Sequence, residues 1–419
     1  MIAKELVDHL FRHEYGKLVS LLSHRVGMRH IEMVEDAVQF ALTAALDNWI
    51  REQIPKNPTA WLFRVASNRL VSELRSESRH NQLLQDNIEQ LTEKVAELPQ
   101  FYLSNELEDE LLRMLFICCD HSIPIESQLV FALKTLCGFS INEIAIRLFS
   151  NEANIYKRLS RARHVLKNTA PPAFDLSSRD YIKRLPAINR VLYLMFTEGH
   201  LSSNVDFAIR KDLCEEAIRL TLILVNHSVG DKPECHALLS LMYLHLSRMG
   251  AREDEFGSLL LLEEQDRSLW DRGCIEQGLY WLASSAQGKC FSRYHAEAGV
   301  AAEHCLAPSF KETNWERIAE CYLLLEQSTP SALHQLNRAI AVAQWKGAAA
   351  GLEILQAATP PGWLGLSYQW SAVLADLHFR TGNNELGERY SAEAIHFAPS
   401  SQICTLLKRR FTKSRGEGH

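Results

Sequence analysis

The sequence predicts an all-α protein, on three observations. Apolar residues recur at helical spacing along nearly the whole chain, with no convincing run of the alternation that marks a half-buried strand. The periodic stretches are separated by short breaks carrying glycine or proline, as at Gly138, Pro171 and Pro172. The composition, 47% hydrophobic and 23% charged, is that of an ordinary globular protein.

Residues 1–79 read as a compact helical unit. Within it, IEMVEDAVQFALTAALDNW (31–49) is an amphipathic helix with acids at its start, where the helix dipole favours them. IPKNPTAWLFRVASNRLVSELRSESR (54–79) supplies another, starting at Pro58 and Thr59. Leu62, Ala66 and Leu70 share one face of that helix, and Trp61, Arg64, Asn68 and Arg75 share the other. An aromatic beside cations and an amide suits unstacked bases and phosphates, although the spacing alone serves a core tryptophan equally well. Residues 80–104 are polar and weakly patterned, which suits a tether.

Residues 105–168 form a second small helical unit. Its last part, GFSINEIAIRLFSNEANIYKRLSRARHVLK (138–167), concentrates positive charge on a chain of formal net charge -6. Ser140 and Glu143 make the S-x-x-E capping box that opens a helix. A short helix, a tight turn at 149–151 and a longer helix from near Glu152 give the helix-turn-helix layout. In the longer helix Ile155, Leu159, Ala162 and Leu166 make an apolar stripe, opposite Asn154, Lys157, Arg158 and Arg161. Such a helix can pack on its neighbours by the stripe while projecting cations into a major groove.

NTAPPAFDLSS (168–178) reads as a second linker, and residues 179–410 as a series of helices stacked in pairs. The clearest pair is YQWSAVLADLHFRTGNNELGERYSAEAIHFAPSS (368–401), with Gly382 at the turn, Ala394 in the second helix and Pro399 at the end. It resembles a tetratricopeptide repeat.

Several classes are set aside. No apolar run approaches the ~18–20 residues of a membrane span, and the charged N-terminus lacks the apolar core of a secretory signal. The ten cysteines form no C-x-x-C pair and read as buried reduced thiols, so a cytoplasmic protein is expected. His9 and His13 lack the glutamate of H-E-x-x-H, and no P-loop, G-x-S-x-G or dinucleotide fingerprint is present. The expectation is therefore no enzyme, no cofactor and no metal.

Together these motifs resemble bacterial RNA polymerase sigma factors of the extracytoplasmic-function (ECF) type. EDAVQFALTAAL matches the family's core-polymerase-binding helix, which implies that role for Asp36, Gln39 and Leu42. PTAWLFRVASNRLVSELR matches the helices that melt and read the −10 promoter element, implying Trp61, Arg64, Asn68 and Arg75. IPIESQLVFALKTLCGFSINEIAIRLFSNEANIYKRLSRARHVLK matches the domain that reads the −35 element. The resemblance assigns Asn154, Tyr156, Lys157 and Arg158 to its bases and Arg161 and Arg163 to phosphates. Asn151 stands where the family commonly has proline. LYLMFTEGH (192–200) and LLLLEEQDRSLWD (259–271) resemble hallmarks of a subgroup with a C-terminal tetratricopeptide-like extension.

The expected partners are thus core RNA polymerase and promoter DNA, with a protein or peptide as ligand of the C-terminal domain. That domain is expected to regulate or stabilise the sigma module in cis, with 197–200 and 265–268 as contact loops. Two rival readings use the same motifs: a one-component helix-turn-helix regulator, and a repeat scaffold carrying a degenerate sigma module.

Overall fold

In the computed structural model the described residues are 2–51, 55–80, 104–148, 150–168, 178–200, 211–254, 259–287, 290–358, 360–365, 367–399 and 401–417. The fold is all-α; the one β-type pairing among these residues is an isolated bridge between Glu253 and Leu259. The chain divides into two compact units, 1–195 and 196–419. Of the expected tether (80–104) residues 81–103, and of the expected second linker (168–178) residues 169–177, lie outside the described residues.

The first unit holds α1 (Ile2–Val26), α2 (Ile31–Arg51), α3 (Pro58–His80), α4 (Ser104–Cys118), α5 (Ile125–Thr135), α6 (Ile141–Arg147) and α7 (Glu152–Asn168). Helix α8 (Ser178–His200) contains the boundary between the units. In α2, Val34, Val38, Ala41 and Ala45 recur at steps of four and three and are fully buried. They meet Leu62, Ala66, Leu70 and Leu74 of α3, which recur at steps of four and are also fully buried. Leu111, Phe116, Val130, Phe131 and Ile144 build the interior of the α4–α7 group.

These two helical groups share a seam, because α1 packs on α4 and α5. Gly16 lies so close to the next group that a Cβ there would stand 2.1 Å from the Leu136 carbonyl oxygen. Gly138 ends the α5 region at φ +69, and a Cβ on it would press on the Tyr15 ring at 3.0 Å. Glycine is required at Gly138 twice over, by the left-handed backbone and by the ring. The N-terminal half of α8 closes on the end of α4: Arg184 donates to the Phe116 carbonyl at 2.9 Å and pairs with Asp120, and Tyr181 meets Phe116 edge-on.

The second unit contains α9 (Lys211–Asn226), α10 (Pro233–Leu246), α11 (Arg272–Ser285), α12 (Arg293–Leu306), α13 (Trp315–Ser328), α14 (Ala332–Lys346), α15 (Ala348–Gln356), α16 (Gly362–Gly365), α17 (Tyr368–Arg380), α18 (Asn384–His396) and α19 (Ser401–Glu417). Consecutive helices pack as pairs, most extensively α10 with α11 and α17 with α18. The second pair is the one expected at 368–401: Gly382 turns the chain at φ +77, and Ala375 and Ala394 are fully buried at the contact.

The two expected contact loops are built into this unit's own packing. Gly199 and His200 are buried; the His200 ring stacks on Phe196, and Arg252 donates to the His200 carbonyl. Asp266 accepts from the Ser268 amide at 2.8 Å, while Arg267 lies over Trp270 and donates to the carbonyls of His304 and Ala307. These runs fix local turns because arginine forks and an aspartate cap satisfy backbone groups that helix ends leave open.

Candidate nucleic-acid interface

Helices α6 and α7 are positioned by local hydrogen bonds. The Ser140 hydroxyl accepts from the Glu143 amide at 3.1 Å, and the Glu143 carboxylate accepts from the Ser140 amide at 2.8 Å, completing the expected capping box. Asn151 takes over the start of α7: its side-chain oxygen accepts from the Asn154 amide at 2.8 Å. This gives the departure from proline a physical reason, since asparagine is a strong helix cap. The Asn142 amide donates to Glu152 at 2.9 Å and ties the two helices together.

The apolar stripe of α7 is buried as its spacing implies, with Ile155, Leu159, Ala162 and Leu166 at 5% exposure or less. On the other side Asn154, Lys157 and Arg161 are exposed and Arg158 is half-buried. Tyr156 is 57% exposed, beside that face.

Arg163 behaves differently. It pairs with Glu32 at 2.8 Å and with Glu35, both on α2, leaving its side chain 16% exposed. Lys167 approaches Glu32 at 3.7 Å. The cations of α7 thus divide between an outward set, Lys157, Arg158 and Arg161, and an inward set facing the α2 acids. In this arrangement Arg163 is engaged within the unit and does not lie on the open face where a phosphate contact was expected. Glu35 is buried and also accepts from the Thr135 hydroxyl at 2.9 Å. Burial pushes the Glu35 carboxyl up, while Arg163, Lys134 and the Thr135 hydrogen bond pull it back.

Helix α3 opens with Asn57, whose side chain accepts from the Ala60 amide at 3.0 Å. Arg64, Asn68 and Arg75 are exposed. Trp61 is half-buried and meets Trp49 of α2, ring centroids 5.5 Å apart, so it is part of the packing and part of the surface. On α2, Asp36 and Gln39 are exposed and Leu42 is half-buried.

The structure adds Phe40 and Leu46 to that α2 surface, at 49% and 36% exposure. Arg69 of α3 covers the Phe40 ring at 5.2 Å. The signal was present in the sequence: both are large apolar residues on the polar side of an amphipathic helix, where burial does not explain them. Among the described residues no group of side chains has the geometry of a metal site, and no helix is long and apolar enough to cross a membrane.

Comparison with known proteins gives a sigma-70 region 2 over residues 10–80, the stretch that forms most of α1 and all of α2 and α3. The first unit thus carries a sigma-70 region 2. It is 24% identical over 164 residues to the RNA polymerase sigma factor YlaC of Bacillus subtilis (strain 168), covering 39% of this chain and 91% of that protein. It is also 33% identical over 329 residues to the uncharacterized protein R00370 of Rhizobium meliloti (strain 1021), covering 78% of each chain. Residues 184–286 match a family of unknown function, DUF6596. No solved structure matches the chain. Against the sigma-70 region 2, the exposed surface of α2 and the cationic side of α3 are the features to explain.

Proposed function

We propose that this chain is a sigma-70 family sigma factor of the ECF type, directing core RNA polymerase to specific promoters without itself catalysing a reaction. The observation that carries the reading is the coincidence of a sigma-70 region 2 over residues 10–80 with an outward cationic helix face at Lys157, Arg158 and Arg161. In this reading the α2 surface around Asp36, Gln39, Phe40 and Leu42 docks on polymerase. Arg64, Asn68 and Arg75, with Trp61 beside them, hold the opened strand of the −10 element by phosphate contacts and stacking. Helices α6 and α7 act as a helix-turn-helix: Asn154, Tyr156, Lys157 and Arg158 meet base edges of the −35 duplex, and Arg161 meets phosphate. It works in the cytoplasm, where polymerase and promoters are found.

The second unit, a tetratricopeptide-like array in this reading, regulates or stabilises the sigma module in cis. Two experiments test the proposal. Purified chain retains core polymerase on a column, and Asp36→Arg with Phe40→Ala lowers the retained fraction at unchanged melting temperature; equal retention removes the docking assignment. Truncation after Lys167 changes promoter-directed transcription; a fully normal output removes regulation by the second unit.

A further inference from the structure

The second unit contains a cleft of about 450 Å³ walled by helices α13, α14, α17 and α19. One buried carboxylate organises it. Asp376, 5% exposed, accepts from the Ser414 hydroxyl at 2.5 Å, pairs with Arg410 at 3.2 Å and lies 3.7 Å from Arg380. The Arg380 guanidinium is further fixed by the Ala343 carbonyl at 3.3 Å. A guanidinium carries five N–H donors in a rigid fork, so Arg380, held by one carboxylate and one backbone carbonyl, keeps donor capacity for an incoming anion. Lys311 and Lys413 stand at the edge. Among the described lining residues, four cations face two carboxylates, Asp376 and Glu263, and each carboxylate already has a cationic partner.

A second chamber of about 240 Å³ shares the Phe310, Trp315, Gln344 and Arg410 walls with the first. It is largely apolar, closed by Leu261, Leu262, Ile318 and Tyr322. Cationic and apolar chambers thus adjoin.

A segment of the chain itself docks on the neighbouring face of α19. Leu259 pairs with Glu253, and the Leu260 amide donates to the Arg252 carbonyl at 2.8 Å, so 259–260 run extended. Along this segment Arg409 donates to the Leu259 carbonyl at 3.0 Å and to Glu264 at 2.8 Å. Lys413 takes Glu263 at 2.8 Å, while Leu261 and Leu262 line the apolar chamber. Helix α19 therefore holds a leucine- and glutamate-rich segment by the carboxylates of its 261–264 turn and one backbone carbonyl. Arg380, Arg410 and Lys311 continue the same chemistry beyond it.

We infer that the cleft binds an acidic peptide segment of a partner protein, placing an apolar side chain against Trp315 and Phe310 and carboxylates on Arg380 and Lys311. Single-charge carboxylates spaced along a chain suit cations spread along a wall that also carries Asp376 and Glu263; a compact dianion would crowd those acids. This assignment stands on the second unit alone and does not depend on promoter binding.

The test is an array of octapeptides, each with two leucines and two glutamates at varied spacing, probed with the full-length chain. A matched array carries glutamine in place of glutamate. The acidic members bind about tenfold tighter than their glutamine counterparts, and Lys311→Glu, which alters an exposed side chain, removes about tenfold of that affinity. Arg380→Gln acts in the same direction, with melting temperature reporting whether it folds. Equal binding to both arrays, or unchanged binding by Lys311→Glu, overturns the inference. Displacement of the acidic peptides by inorganic phosphate at matched ionic strength assigns the cleft to a small anion and also overturns it.

Discussion

Thr135 donates its hydroxyl to Glu35 at 2.9 Å, joining two helices that lie 100 residues apart in the chain. The same carboxylate pairs with Arg163 of α7. One buried acid therefore ties the α1–α3 group to both α5 and α7. Burial favours protonated Glu35, so the folded carboxyl is raised, and Arg163 is the largest influence opposing this. A raised folded value gives stability that is complete below the unfolded carboxylate range, about 4.3, and is lost as pH rises through the folded value.

Arg163→Ala removes that compensation, so the loss with rising pH continues to higher pH and is larger in total. Breaking a buried pair at one partner costs about 3–5 kcal/mol. Hydrogen exchange of the α1–α7 amides should show a larger loss of protection at about pH 8 than at about pH 5, restored in part by adding Glu35→Gln. Equal loss at both values would show that the pair is not charged in the fold.

The division of the α7 cations makes a second prediction. Arg161→Ala should weaken promoter-duplex binding and reduce the slope of log affinity against log salt by about one. Arg163→Ala should leave that slope nearly unchanged while its α2 partners hold it. Anisotropy titrations across a salt series measure both. Equal effects would mean that Arg163 leaves Glu35 to reach phosphate.

Gly16 gives a third. A methyl group there collides with the Leu136 carbonyl oxygen, a backbone atom that no rotamer change can move aside. Gly16→Ala should destabilise the first unit by about 1–3 kcal/mol or more through forced separation at the seam. Denaturant unfolding monitored in that unit measures it, and an unchanged midpoint would contradict the close approach.

The second unit has the opposite pH dependence. Burial and neighbouring arginines hold His245 well below its usual range and His304 down at about 3; His200 is also lowered well below its usual range, by burial and then by His245 and the arginines. These groups take up protons on unfolding below about pH 6.5, so stability falls as pH falls, by up to about 1.4 kcal/mol per pH unit for each. Thermal melts of that unit between neutral and mildly acid pH should show the decline, and His304→Gln should flatten it. A flat profile in the unmodified protein would contradict these burials.

The sequence made legible what is local. The stripe at Ile155, Leu159, Ala162 and Leu166 and the Ser140–Glu143 cap depend on residues three or four apart, so spacing alone specifies them. Arg163 was not separable from Arg161 on that basis, because its acid partners lie on α2, roughly 130 residues earlier in the chain. The sequence left Trp61 open between a stacking platform and a core residue, because Trp49, the ring it packs on, lies on a different helix. The cleft around Asp376 was illegible for the same reason: its walls come from four helices and two loops, and no single stretch carries the pattern.

In the proposed function this chain confers promoter recognition on core RNA polymerase. The most direct measurement is run-off transcription from a promoter library with purified core enzyme and the full-length chain. Specific start sites should appear only with the chain present, and the yield should fall with Lys157→Ala and Arg161→Ala combined. A transcript pattern identical with and without the chain would contradict it.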